Sequence, residues 1–168
     1  GLVNPIHEIA EMTHKVGVKI LVDAAQLIPH RKIDLKPDDD IQHIDFLVFS
    51  AHKMYAPFGT GVLIGPKEIF GKGDPEYVGG GTIDLVTVDD VIWTHLPDKE
   101  EAGTPNLVGV VALAKAIQLL EKIGMENVKR HEIELTKYAY QKMSELPDVE
   151  FLGPQYFDSF ENKLGVIP

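Results

Sequence analysis

Short apolar runs rich in branched residues alternate along this chain with stretches whose apolar positions recur at helical spacing. Asn4-Pro5 reads as a helix start, with Asn as the cap and Pro at the first helical position, where no N–H is needed. Ile6, Ile9, Ala10 and Val16 then form one apolar face, and Gly17 closes the helix. Val18 to Val22 reads as a buried parallel strand ending at Asp23, followed by a helix-like piece or turn through Ala24, Ala25 and Gln26. Asp38-Asp39-Asp40 is a polar loop. Ile44 to Phe49 is a second buried strand, ending at Ser50, and Gly59 to Gly65 a third. The second and third lie too close in sequence for a crossover helix, which predicts an antiparallel pair.

Downstream, Gly71 to Asp90 is glycine-rich and poorly periodic, and reads as a long loop with a use. Asn106 to Ile123 carries a broad apolar stripe (Leu107, Val110, Val111, Leu113, Ala114, Ile117, Leu120) and predicts a helix that Gly124 breaks. A second long helix is expected over Met125 to Leu146, where Pro147 stops it. Val149 to Leu152 and Leu164 to Ile167 read as strands of another layer. Helix alternating with strand argues an α/β fold with a mainly parallel sheet, and the break near Gly124 argues a domain boundary. The opening on Gly1 rather than Met, and the close on an apolar run ending at Pro168, give the expectation that both ends are cut.

Composition narrows the function. With 168 residues, 44% hydrophobic and 25% charged, the chain has ordinary globular make-up and can bury a core without disulfides or metals. It has no cysteine, which excludes a disulfide scaffold, an iron–sulfur site, a zinc ribbon and a cysteine nucleophile within these residues. A net charge of −10 argues against nucleic acid as a partner, though one local site can still hold a small phosphorylated cofactor. No apolar run approaches a membrane span and no basic–apolar leader opens the chain, so the expectation is a cytoplasmic protein without membrane partners.

Two of the expected strands end in polar residues foreign to a core: Asp23 with Gln26, and Ser50 with His52 and Lys53. In open α/β sheets, ligands bind beyond the carboxyl ends of the strands. Were the two strands neighbours, a carboxylate, an amide, a hydroxyl, an imidazole and an amine would converge. A lysine amine forms a Schiff base with an aldehyde, a carboxylate keeps a pyridine nitrogen protonated, and hydroxyl and imidazole hold phosphate oxygens. The set suits pyridoxal phosphate. Each residue also has a plainer reading: Asp23-x-x-Gln26 as a capping box, Ser50 as a cap, His52 as a core histidine and Lys53 as a surface lysine. The apolar run after Lys53, Met54 to Phe58, weighs against the last, because an ammonium buried there is costly unless partnered. Gly59-Thr60-Gly61 leads into a strand rather than a helix, so it is no dinucleotide fingerprint, and a nucleotide-binding reading loses with it. The seven histidines look scattered, which gives no metal site.

Val22-Asp23-Ala24-Ala25-Gln26, then Phe49-Ser50-Ala51-His52-Lys53-Met54-Tyr55-Ala56-Pro57 and Gly59-Thr60-Gly61-Val62-Leu63, resemble the class V aminotransferase family, nearest the cysteine desulfurases. Gly79-Gly80-Gly81-Thr82 and Glu101-Ala102-Gly103-Thr104-Pro105-Asn106 continue the resemblance in order. It implies a three-layer α/β/α large domain of the pyridoxal-phosphate-dependent transferase kind over residues 1–124. The start of a small C-terminal α+β domain would follow over 125–168. It implies pyridoxal 5′-phosphate as cofactor, with Lys53 as the Schiff-base lysine and proton carrier. Asp23 would pair with the ring nitrogen, Gln26 with the phenolic oxygen, and Ser50 and His52 with the phosphate. Thr82, with Thr87 as a rival, would reach the phosphate of a partner subunit in a homodimer. Residues 101–106 would line the active site.

The reaction implied is sulfur removal from cysteine, giving alanine, with a sulfur-acceptor protein as a possible partner. Amino-group transfer is the alternative, and a truncated binding or dimerisation module is the alternative of another kind. The family's upstream phosphate-binding turn and ring-stacking side chain are missing here. So are its downstream substrate arginine and the desulfurases' cysteine. The 168 residues alone are therefore expected to be inactive.

Overall fold

The structure is a computed structural model that describes residues 1–152 and 160–167. Helix α1 spans Ile6–His14. Its cap is not the Asn4 side chain: Ile6 N–H meets the Asn4 backbone carbonyl at 2.9 Å instead. Ala10 is its buried residue, while Ile9 is exposed and Val16 lies past the last helical turn, so the expected apolar face is only partly covered. Gly17, at φ +72°, turns the chain towards β1 as expected.

Strand β1 (Leu21–Asp23) pairs in parallel with β2 (Phe46–Ser50), and β2 pairs antiparallel with β3 (Gly61–Ile64). The sheet order is β1-β2-β3. The close spacing of β2 and β3 does give an antiparallel pair, so this sheet is partly parallel. On β2 the alternation is regular: Leu47 and Phe49 are buried, and Phe46, Val48 and Ser50 are half-buried. The core gathers Ile20, Val22, Ile44, Leu47 and Phe49 with Ala10 of α1 and two residues of α3 (Leu107–Ile123), Leu113 and Leu120. Burying such aliphatic side chains stabilises by roughly 1.5–3 kcal/mol each.

The stretch read as one long loop holds regular structure. A single-turn helix α2 (Lys67–Phe70) precedes it, and strands β4 (Ile83–Val86) and β5 (Val91–Trp93) form an antiparallel hairpin within and just beyond it. Thr87 and Asp90 close the hairpin: Asp90 N–H donates to Thr87 Oγ1 at 2.9 Å and Thr87 Oγ1 donates to the Asp90 carbonyl at 3.1 Å. All of β4 is exposed, so no core-facing stripe marked it in the sequence.

Asn106 caps α3, accepting the Gly109 N–H at 3.0 Å. Gly124, at φ +86°, ends α3 and starts α4 (Met125–Ser144). The stripe on α3 is covered only at Leu113, Leu120 and, in part, Ile117; Leu107, Val110 and Val111 are exposed. Arg31 ties α4 to the rest. Its guanidinium meets Glu132 at 2.5 Å and donates to the Lys163 carbonyl at 2.8 Å, while His30 lies 3.1 Å from the same Glu132.

The strands expected at Val149–Leu152 and Leu164–Ile167 do not form. Residues 149–152 have no regular structure. The second segment runs antiparallel to the N-terminus through one bridge, Leu2 to Lys163, with Gly1 N donating to the Val166 carbonyl at 2.6 Å. That is too short for a ladder, and Pro168 lies outside the described residues. No helix among the described residues is long and apolar enough to cross a membrane.

Candidate cofactor site

Parallel pairing decides where the polar residues go. Asp23 closes β1 opposite Val48 of β2, and Ala24 N–H donates to the Val48 carbonyl at 2.9 Å. Both strands therefore run out at the same sheet edge. Asp23 and Gln26 leave from one strand end, and Ser50, His52 and Lys53 from its neighbour. Five of the six expected site residues share that edge. Thr82 does not: it stands at the entry to the β4–β5 hairpin, in a separate sheet.

The individual environments sort the competing readings. Asp23 is exposed, and its Oδ1 accepts the Ala25 N–H at 2.9 Å. It does hold a local turn, therefore, but with one oxygen. Oδ2 has no partner among the described residues. Gln26 makes no return bond of the capping-box kind and is exposed. Ser50 occupies the cap position of the single 3₁₀ turn Ala51–Met54, yet its hydroxyl makes no cap bond. His52 is exposed rather than a core histidine.

Lys53 is half-buried, which corrects the expectation of an amine sunk in an apolar run. Within that run Met54 and Ala56 are buried, while Tyr55 and Phe58 are 71% and 61% exposed. The Lys53 amine makes no ion pair or hydrogen bond among the described residues, with Asp23 or with any other group. What meets at the edge is thus one free amine, one free carboxylate oxygen, one free hydroxyl and one exposed imidazole. A hollow of about 380 Å³ lies beside Asp23 and Gln26, lined further by Ile6, Ile9, Ile20 and Val22. A larger hollow, about 1040 Å³ between α3 and α4, holds none of the six residues.

Thr82 is fully buried. Its hydroxyl donates to the Gly79 carbonyl at 2.8 Å, and the Gly79 N–H approaches the same oxygen at 3.3 Å. The three glycines before it pack on residues 101–106: Gly103 N–H donates to the Gly80 carbonyl at 2.8 Å, and a Cβ on Gly79 would lie 3.5 Å from that of Ala102. Thr87 is bound into its hairpin turn.

One cluster escaped the reading of scattered histidines. His14 and His43 stack with ring centroids 4.3 Å apart, and His14 Nε2 lies 2.8 Å from a buried Asp45 oxygen. Lys19 meets the other oxygen at 2.6 Å and Ile20 N–H donates to the carboxylate at 2.9 Å. His14 Nδ1 lies 2.7 Å from the Ile41 carbonyl, which can only accept, so that nitrogen carries its proton. A second proton on Nε2 then makes the bond to Asp45. Burial pushes the Asp45 carboxyl up, but Lys19, His14 and the Ile20 N–H outweigh it and hold it well below the usual carboxylate range. The bond to Asp45, then that to Ile41, raises His14 above the usual imidazole value. Partners separated by 25 to 31 positions in sequence make this network, and no spacing rule announces it.

The chain is similar to known proteins in sequence and in fold. The family described as Aminotransferase class-V matches residues 1–161. A cysteine desulfurase of Haloferax volcanii is 45% identical over 154 residues, which cover 92% of this chain and 35% of that protein. The apo structure of a cysteine desulfurase from Thermococcus onnurineus NA1 superposes with a TM-score of 0.88 at 34% identity, over 99% of this chain and 40% of that one. The cysteine desulfurase CsdA of Escherichia coli, in an S-sulfonic acid form, gives a TM-score of 0.80 at 30% identity, over 90% of this chain and 37% of its own. The chain thus spans little more than a third of the length of the proteins it matches.

Proposed function

Because the chain belongs to the class-V aminotransferase family, we propose that the whole protein is a pyridoxal-phosphate-dependent enzyme that removes sulfur from cysteine and leaves alanine. The observation that carries the reading is the shared edge of β1 and β2, where the Lys53 amine and the Asp23 Oδ2 are both without partners among the described residues. That donor set fits pyridoxal phosphate: an amine for its aldehyde, a carboxylate for its ring nitrogen, and the Ser50 hydroxyl and His52 imidazole for its phosphate.

When bound, the cofactor supplies an electron sink for the bonds at the substrate's α-carbon. This chain's residues do the rest. Lys53 Nζ would hold the cofactor's aldehyde carbon and would carry a proton to and from the substrate's α-carbon. Asp23 keeps a proton on the ring nitrogen through Oδ2 while Oδ1 stays on Ala25. Gln26 donates to the phenolic oxygen. Thr82 enters the site of a partner subunit only by releasing Gly79 on dimer formation. The same reading assigns residues 1–124 to the cofactor-binding large domain and 125–168 to the start of the small one. It also gives a homodimer, a cytoplasmic location and a sulfur-acceptor protein as partner. Amino transfer is the second reading, favoured by the family's own description.

The test uses the full-length protein. Incubation with pyridoxal 5′-phosphate followed by borohydride reduction and peptide mapping is expected to label Lys53; label on other lysines alone overturns the site. With dithiothreitol present as the two-electron reductant of the sulfur removed, turnover of cysteine is expected to give alanine and sulfide in equal amounts. A keto acid as product would establish amino transfer instead.

A further inference from the structure

We propose that Asn106 is a positioning residue, whose side-chain amide clamps the segment after Lys53 onto the N-terminus of α3 and so fixes where the amine points. The proposal rests on the reading of Lys53 given above. Lys53 sits on the single turn Ala51–Met54. That turn is anchored at its start, where Ala51 N–H donates to the Thr60 carbonyl at 2.8 Å, and the chain comes back to it through residues 55–60. The return path is strained. Tyr55 and Phe58 both lie in the left-handed region, at φ +65° and +80°, with Gly59 at +66°. A non-glycine residue there persists only where its surroundings hold it.

At its start the path is held by the Tyr55 and Ala56 N–H groups, which donate to the Ala51 carbonyl, and at its Phe58 end by Asn106. Its Nδ2 donates to the Phe58 carbonyl and lies 3.4 Å from Thr60 Oγ1. Its Oδ1 accepts the Gly109 N–H at 3.0 Å. The orientation of the amide is fixed by chemistry, since a carbonyl can only accept and a backbone N–H can only donate. Gly109 makes the approach possible: a Cβ there would collide with Thr60 Oγ1 and lie 2.9 Å from Asn106 Nδ2. One side chain thus joins the cap of α3 to both Phe58 and Thr60, and Thr60 carries the bond to Ala51.

Asn106→Asp separates the two tasks, because an aspartate still caps Gly109 but cannot donate to Phe58. In the full-length protein it is expected to keep a thermal midpoint close to wild type. Amide hydrogen exchange over residues 55–60, measured without cofactor, is expected to rise about fivefold to tenfold, the scale of one lost hydrogen bond. The concentration of pyridoxal 5′-phosphate that half-labels Lys53 under borohydride should rise by a similar factor. Unchanged exchange overturns the proposal. Faster exchange with unchanged half-labelling overturns it too, since the clamp would then not position the amine. Wild-type protein labelled elsewhere than Lys53 would instead sink the cofactor-site reading, and the exchange result would still report whether the clamp exists. Asn106→Ala, which loses both bonds, should show the same loop effect with a lower midpoint; if it fails to fold, the aspartate variant decides.

Discussion

Asp23 shows how one side chain can satisfy two readings. Its Oδ1 caps Ala25 as a local turn residue does, and its Oδ2 remains for a ligand. Asn at this position keeps the acceptor for Ala25 but removes the charge. Asp23→Asn is therefore expected to leave the thermal midpoint nearly unchanged while turnover of the full-length enzyme falls by about two orders of magnitude, the scale for losing one preorganised electrostatic contact. Turnover within a factor of two of wild type would reduce Asp23 to a turn residue. Ser50 and His52 were equally ambiguous as letters. Only the structure removes the plainer readings, because the Ser50 hydroxyl caps nothing and His52 is exposed. Lys53 went the other way: its apolar neighbours suggested burial, but residues 54 and 56 take the inward positions and leave the amine half-exposed.

Among the elements, β2 was the most legible, since branched residues on both faces of a short run suit a strand between neighbours. The β4–β5 hairpin was the least. Its signal was two β-rich runs around the Thr87–Asp90 turn, and it was masked because none of β4 is buried. The contact between β2, β3 and α2 yields a prediction of its own. Phe46 and Phe70 meet edge to face with centroids 6.1 Å apart, and Gly65 sits under both rings. A Cβ on Gly65 would come within 2.5 Å of Phe46 and 2.8 Å of Phe70, so both rings must give way. Gly65→Ala is expected to destabilise by about 1–3 kcal/mol, the cost of overpacking, read as a lowered urea midpoint at unchanged slope. A midpoint equal to wild type would mean the pair shifts freely.

For the molecule as a whole, the Asp45 network makes stability depend on pH in both directions. Asp45 titrates lower in the fold than unfolded, so it stabilises above its ordinary range, near pH 4, and that contribution disappears as pH falls through the depressed value. His14 titrates higher in the fold, so its contribution is complete below about pH 6.5 and is lost as pH rises through the raised value. The difference in urea midpoint between wild type and Asp45→Asn should be greatest between about pH 4 and 6.5, and smaller on either side. A difference that keeps growing from pH 6.5 to 8 would show that His14 does not carry the second proton. At the same scale, Arg31 and Glu132 join residue 31 to α4 and to the carbonyl of Lys163. The segments on either side of Gly124 are thus linked by charge as well as by chain.

Local chemistry is legible in one dimension. Gly17 and Gly124 as helix ends, the β1 and β2 runs and the ordered motifs from Asp23 to Asn106 all act through neighbours a few residues away, so letters and spacing suffice. Which groups meet is a property of distance through space. Parallel pairing brings the ends of β1 and β2 to one edge although Asp23 and Ser50 are separated by a helical turn and a loop. The same holds for Asp45 with His14, Arg31 with Glu132 and Asn106 with Phe58, whose bonds span from 31 to 101 residues. Thr82 is a further case: its motif pointed to a ligand, and its buried hydroxyl instead closes a local turn onto the Gly79 carbonyl three residues back, because a buried hydroxyl left without a partner is costly.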